Sequence, residues 1–87
     1  MFVILVYDAE ARRDPKVLKI CRKYLDWIQN SVFEGDITEA KLKKLKRELE
    51  KVIDHRRDYI VFYTTENMTI VRRETLGSPK TMEGNIL

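Results

Sequence analysis

Six apolar or aromatic residues in an unbroken run, Phe2, Val3, Ile4, Leu5, Val6 and Tyr7, constrain this chain more than any other stretch. The run is too short for a free-standing helix and rich in β-branched and aromatic side chains, so it reads as a central strand buried on both faces. Asp8 closes it. A carboxylate at the carboxyl edge of such a strand stands where open sheets tend to place their chemistry, and burial there calls for a cation or hydrogen-bond donors.

With 87 residues the chain is expected to form one domain with one modest core, because a domain this small buries only about 60% of its unfolded surface. Residues 1–78 are assigned to that domain and 79–87 to a tail able to dock on a partner. No apolar run reaches membrane-spanning length, and no basic segment precedes the first strand, so a cytoplasmic location without a membrane partner is expected. Cys21 is the only cysteine, which rules out an intrachain disulfide and a cysteine-based metal cage within one chain.

The net charge of +3 is less telling than its placement: residues 9–26 carry six Lys/Arg against three Asp/Glu, and residues 38–55 carry six against four. Both excesses fall on expected helices. Such a bias draws polyanions to one side of a molecule, although it is far from the footprint of a strongly basic nucleic-acid binder.

After Asp8 a polar stretch reads as a loop, and Asp14 followed by Pro15 as a helix start, the acid capping free amides and the proline pre-set for the first helical position. Val17, Ile20, Cys21, Tyr24 and Leu25 then recur at helical spacing, to about residue 26. Residues 27–37 read as a hairpin turning at Asn30 and Ser31, since Asn tolerates positive φ; a continuous strand with a bulge is the alternative. Thr38 is an expected N-cap, and Leu42, Leu45, Leu49, Val52 and Ile53 line one face of a second helix down to Asp54. Residues 59–65 and 68–73 read as two further strands.

Strand, helix, two strands, helix and strand is the α+β pattern of a ferredoxin-like βαββαβ fold, here with an additional C-terminal strand. Two helices cover one face of a four-stranded sheet, yet both parities of these strands are apolar: Ile60 and Phe62 point one way, Tyr59, Val61 and Tyr63 the other. A second copy of the chain is therefore expected on the uncovered face.

At this point the sequence resembles a known family, the small CRISPR-associated protein of the adaptation machinery, the second of the pair that captures new spacers (the Cas-two family). The residues that carry the resemblance are Val6, Tyr7 and Asp8 closing the first strand, the basic stretch Lys16, Val17, Leu18, Lys19, and above all Ile28, Gln29, Asn30, Ser31, Val32, Phe33, Glu34 and Gly35. The likeness runs over nearly the whole chain. It implies a homodimer of ferredoxin-like subunits packed through their sheets, with magnesium held between two copies of Asp8. It further implies metal-dependent endonuclease activity on RNA or DNA, and a role for the dimer as a platform for duplex DNA beside the CRISPR integrase subunit. Members frequently carry Arg before the Ile-Gln pair; Trp27 stands there instead.

Asp8 is thus the catalytic and metal-binding candidate, while the residues alone are met at least as well by an Asp that caps the following turn. Arg12, Arg13, Lys16 and Arg22 are the nucleic-acid-binding candidates, following Asp8 closely enough to hold a phosphate backbone without reading bases. A solvated helix face accounts for Arg22 as well. Tyr7 and Phe33 are assigned to the dimer interface, with packing as the alternative for Tyr7, from where it could also hydrogen-bond substrate or a metal-bound water, and core packing as the alternative for Phe33. Ser31 and the single histidine, His55, form no triad pattern. A different class of function, a regulatory or protein-interaction module without nuclease activity, is compatible with the fold alone.

Overall fold

The structure, a computed structural model, describes residues 1–66 together with Glu74 and Leu76. The strand expected over 68–73 and the tail over 79–87 lie outside the described residues. The elements run β1 (Phe2–Asp8), α1 (Asp14–Arg22), β2 (Asp26–Gln29), β3 (Val32–Asp36), α2 (Glu39–Glu50) and β4 (Tyr59–Thr65). The strands form one antiparallel sheet in the order β2-β3-β1-β4, the ferredoxin-like arrangement.

β1 lies inside the sheet, with β3 on one side and β4 on the other, yet it is not buried on both faces within one chain. Its burial alternates. Val3, Leu5 and Tyr7 are buried, and Phe2, Ile4 and Val6 are only partly covered. The alternation carries through the ladder, where Leu5 faces Phe33 on one side and Phe62 on the other. These residues meet Val17 and Cys21 of α1 and Leu42, Leu45 and Leu49 of α2 in one core. Burial pushes the Cys21 thiol up to about 12, so the sulfur is a packing group and not a nucleophile.

Tyr7 and Phe33, expected at the interface with a second copy, lie instead in the chain's own core. Tyr7 is 5% exposed and Phe33 fully buried, their rings stacked with centroids 6.3 Å apart. Period-2 geometry sends odd-numbered β1 residues toward the helices, and Phe33 sits opposite Leu5 on that same side.

α1 begins one residue earlier than expected. Asp14 is its first residue, Arg13 stands at the cap position without a side-chain capping bond, and the Asp14 carboxylate instead accepts from the Tyr7 hydroxyl. Burial, joined by that acid, holds the Tyr7 phenol well above its usual range. The helix stops at Arg22, and Leu25 tucks in behind it, donating its amide to the Cys21 carbonyl at 2.9 Å. Leu25 explains the glycine of the resemblance segment. A Cβ on Gly35 would stand 3.2 Å from Leu25 Cδ2, so a larger residue there would have to push the Leu25 side chain aside by a few tenths of an ångström.

Hairpin and bulge are both present between β2 and β3. Asn30 takes φ of 42°, and the register shifts between Trp27 and Gln29. The Trp27 indole donates to the Asn30 carbonyl at 2.9 Å, fixing the turn. α2 starts as expected, Thr38 Oγ1 accepting from the Lys41 amide at 3.1 Å, but it ends at Glu50, four residues short of Asp54. Glu48 fastens the helices together by accepting from Lys23 Nζ at 2.5 Å and from the Tyr24 hydroxyl.

Candidate metal and nucleic-acid site

Asp8 is the last residue of β1, exposed, and on the face away from the helices, where it pairs in register with Tyr59. Among the described residues its carboxylate makes no hydrogen bond or ion pair, so it is not capping the adjoining loop. Phe2, Ile4 and Val6 share its face, joined by Val61 and by Tyr59 and Tyr63, which are 69% and 60% exposed. The two tyrosines are large aromatic rings left in solvent, Tyr59 beside the Asp8 carboxylate and Tyr63 beside Ile4, an arrangement that a lone subunit gains nothing from.

Charge is segregated among the described residues. None of the four strands contains Lys or Arg. The described cations sit instead on the helices and in the loops, those that follow Asp8 most closely being Arg12 and Arg13 in the loop over 9–13.

That loop separates the two arginines that adjoin in sequence. Arg12 points outward, 76% exposed, with Nε 3.6 Å from a Glu10 carboxylate oxygen. Arg13 turns inward. Its side chain is 13% exposed and forks onto Asp58, Nε to Oδ2 at 2.5 Å and Nη2 to Oδ1 at 3.0 Å, while Nη2 also reaches Glu10 Oε1 at 2.9 Å. Its Nε and Nη2 donors are taken up by the protein's own acids, so Arg13 is turned into the loop and away from solvent, unlike the phosphate-binding candidate Arg12 beside it. Lys16 is exposed in the first turns of α1. Arg22 lies near the other end of the helix, about 9 Å further along the axis and about 120° round it, with its guanidinium 5.2 Å from the Trp27 ring. Arg12 and Lys16 are thus the exposed cations that follow Asp8 most closely along the chain, and Arg22 belongs to a separate patch beside β2.

Asp58 was not singled out by sequence reasoning. Its side chain is fully buried, and its two oxygens accept four donors: Arg13 twice, the Glu10 amide at 3.0 Å and the Asp54 amide at 2.8 Å. The Arg13 guanidinium, helped by those amides, holds the Asp58 carboxyl far below the usual range against the opposing effect of burial. Glu10 is likewise lowered, first by Arg57, whose Nη1 donates to Oε2 at 3.0 Å, and then by Arg13. The only signal in the sequence is an acid immediately before a strand, and its partner lies 45 residues away.

Among the described residues no three His, Cys, Asp or Glu side chains cluster as a metal cage, and no helix is long and apolar enough to cross a membrane. Among the described residues, Asp8 thus stands as a hard oxygen donor beside a sheet face that the helices leave uncovered.

Comparison with known proteins bears on what such a chain is. The family described as "CRISPR associated protein Cas2" matches residues 1–73. A Thermodesulfovibrio yellowstonii protein named CRISPR-associated endoribonuclease Cas2 3 is 52% identical over 86 residues, covering 99% of this chain and 98% of its own. A Thermotoga maritima protein named CRISPR-associated endoribonuclease Cas2 is 45% identical, covering 99% of each chain. The crystal structure of Streptococcus pyogenes Cas2 superimposes with a TM-score of 0.75 and 37% identity, covering 88% of this chain and 100% of that one. With the family matching most of the sequence and relatives of this identity aligned over nearly their whole length, the chain belongs to the Cas2 family of CRISPR-associated proteins.

Proposed function

We propose that this chain acts in the cytoplasm as a homodimer whose uncovered sheet faces meet, bringing two Asp8 carboxylates to one seam that holds magnesium. The dimer is a metal-dependent endonuclease on single-stranded RNA, and in spacer acquisition it supports duplex DNA for the CRISPR integrase subunit. One observation carries the reading: Asp8, without a partner among the described residues, stands exposed at the rim of the same sheet face that leaves Phe2, Ile4, Val6 and Val61 only partly covered. The naming of relatives as endoribonucleases supports RNA as the substrate.

The donor set fits magnesium better than other common ions. No cysteine or histidine adjoins Asp8 in sequence, and magnesium binds through one or two carboxylates while keeping several waters. A second copy related by two-fold symmetry supplies the second carboxylate. When bound, the ion neutralises charge on a phosphodiester and acidifies a water. The chain's own residues do the rest: Asp8 provides the oxygen ligand, Arg12 and Lys16 hold the backbone at the rim, and Arg22 offers a more distant contact. Arg13 serves the loop and not the substrate.

Replacing Asp8 with Asn tests this directly. Magnesium-dependent cleavage of single-stranded RNA should be lost, while sedimentation still gives a dimer and duplex DNA affinity stays within about two-fold, since a rim carboxylate adds no phosphate contact. Cleavage at the wild-type rate by the variant overturns the catalytic assignment; a monomer in dilute wild-type solution overturns the seam.

A further inference from the structure

Asp8 occupies a position that the sheet by itself holds poorly. On the β3 side the ladder ends at Val6 opposite Val32, beyond which there is one bond from the Tyr7 amide to the Ser31 carbonyl at 3.1 Å. Only β4 reaches as far as Asp8, through Tyr59, and that is the last pair of the ladder. A strand end held on one side frays readily.

The segment after Asp8 is fastened from outside the sheet. Asp58 immediately precedes Tyr59, and its side chain continues the β1–β4 pairing by accepting the Glu10 amide at 3.0 Å, two residues beyond Asp8. The same carboxylate takes the Arg13 fork at the far end of the loop and the Asp54 amide at 2.8 Å from the turn after α2. Glu10 closes a second ring by bridging Arg13 and Arg57. One buried acid thus ties the loop beyond Asp8, at Glu10 and at Arg13, to the turn before β4, which it also braces through the Asp54 amide.

We propose that Asp58 is a positioning residue for Asp8, clipping the loop over 9–13 so that the Asp8 carboxylate and the Arg12 guanidinium keep a fixed relation at the rim. The inference rests on the role given to Asp8 above. Asp58 does not touch the substrate; it acts through the Glu10 amide and Arg13.

The test uses the full chain carrying Asp58→Asn, with Arg13→Lys as a second variant that keeps the charge but loses the two-pronged fork. Three readouts are followed: hydrogen exchange at the Glu10 amide, the carboxyl carbon resonance of Asp8, and the kcat and KM of RNA cleavage. The clip predicts, in whichever variant is folded at the assay temperature, faster Glu10 exchange with Leu5 and Phe33 amides still protected, and a shifted Asp8 resonance. It also predicts a kcat reduced at least about ten-fold with KM within about two-fold, the pattern of a misplaced but still accessible group. Unchanged Glu10 exchange, or an unshifted Asp8 resonance, overturns the inference. So does wild-type kcat, provided Asp8→Asn abolishes cleavage in parallel. Where Asp8→Asn leaves cleavage intact, it is the functional reading that fails, and the two spectroscopic readouts decide the clip alone.

Discussion

The Arg13 guanidinium meets the buried Asp58 carboxylate as a fork, Nε to Oδ2 at 2.5 Å and Nη2 to Oδ1 at 3.0 Å, across 45 residues of sequence. This pair, and not the exposed cations around it, fixes the path of the chain between β1 and α1.

Its acid dependence is set by the direction of the shift. The folded-state pKa of Asp58 is depressed by Arg13, so the ionised clamp stabilises the fold fully above the ordinary aspartate range, about 4, and loses that contribution as pH falls through and below it. Glu10, lowered by Arg57 and Arg13, adds in the same direction. The melting temperature should therefore drop between about pH 5 and pH 2. Asp58→Asn should melt lower at neutral pH and show a flatter dependence in that window, as followed by circular dichroism.

Adjacent arginines should behave oppositely. Arg12→Gln, at a side chain 76% exposed, should leave the melting temperature unchanged and reduce the salt slope of duplex binding by about one. Arg13→Gln should lower the melting temperature while barely changing that slope. Thermal melts and a salt titration of duplex affinity separate the two.

Leu45 is fully buried at the centre of α2's inner face. Leu45→Ala removes apolar contact and leaves a cavity, so unfolding free energy in urea should fall by about 2–5 kcal/mol.

Asn30 takes φ of 42° in the hairpin turn. Asn30→Gly should be close to neutral, whereas Asn30→Val, whose branched side chain is strained there, should destabilise by about 1–2 kcal/mol. Denaturant melts of the pair check the turn directly.

Val61 faces away from the helices at the centre of β4. Val61→Arg should leave the circular dichroism spectrum and melting of the subunit nearly unchanged while abolishing self-association in sedimentation.

Much of the fold is legible in the sequence because it is local. The helix stripes, the Thr38 cap and the Asn30 turn each arise from residues within a few positions of one another. The side assignment of Tyr7 and Phe33 is not, since alternation separates two sets of residues without saying which set meets the helices when both are apolar. Asp14 misleads as a cap because its carboxylate has a competing donor in Tyr7, from another element. Arg13 resembles a phosphate contact in the sequence because near-neighbour pairing rules do not reach Asp58.

Cys21, alone in the sequence and sealed between helix and sheet, turns the protein into its own reporter. With the thiol shut away and held in its protonated form, an alkylating or disulfide reagent gains access only when α1 lifts from the sheet. Labelling kinetics at this one sulfur therefore time the opening of the interior, with no dye or engineered probe.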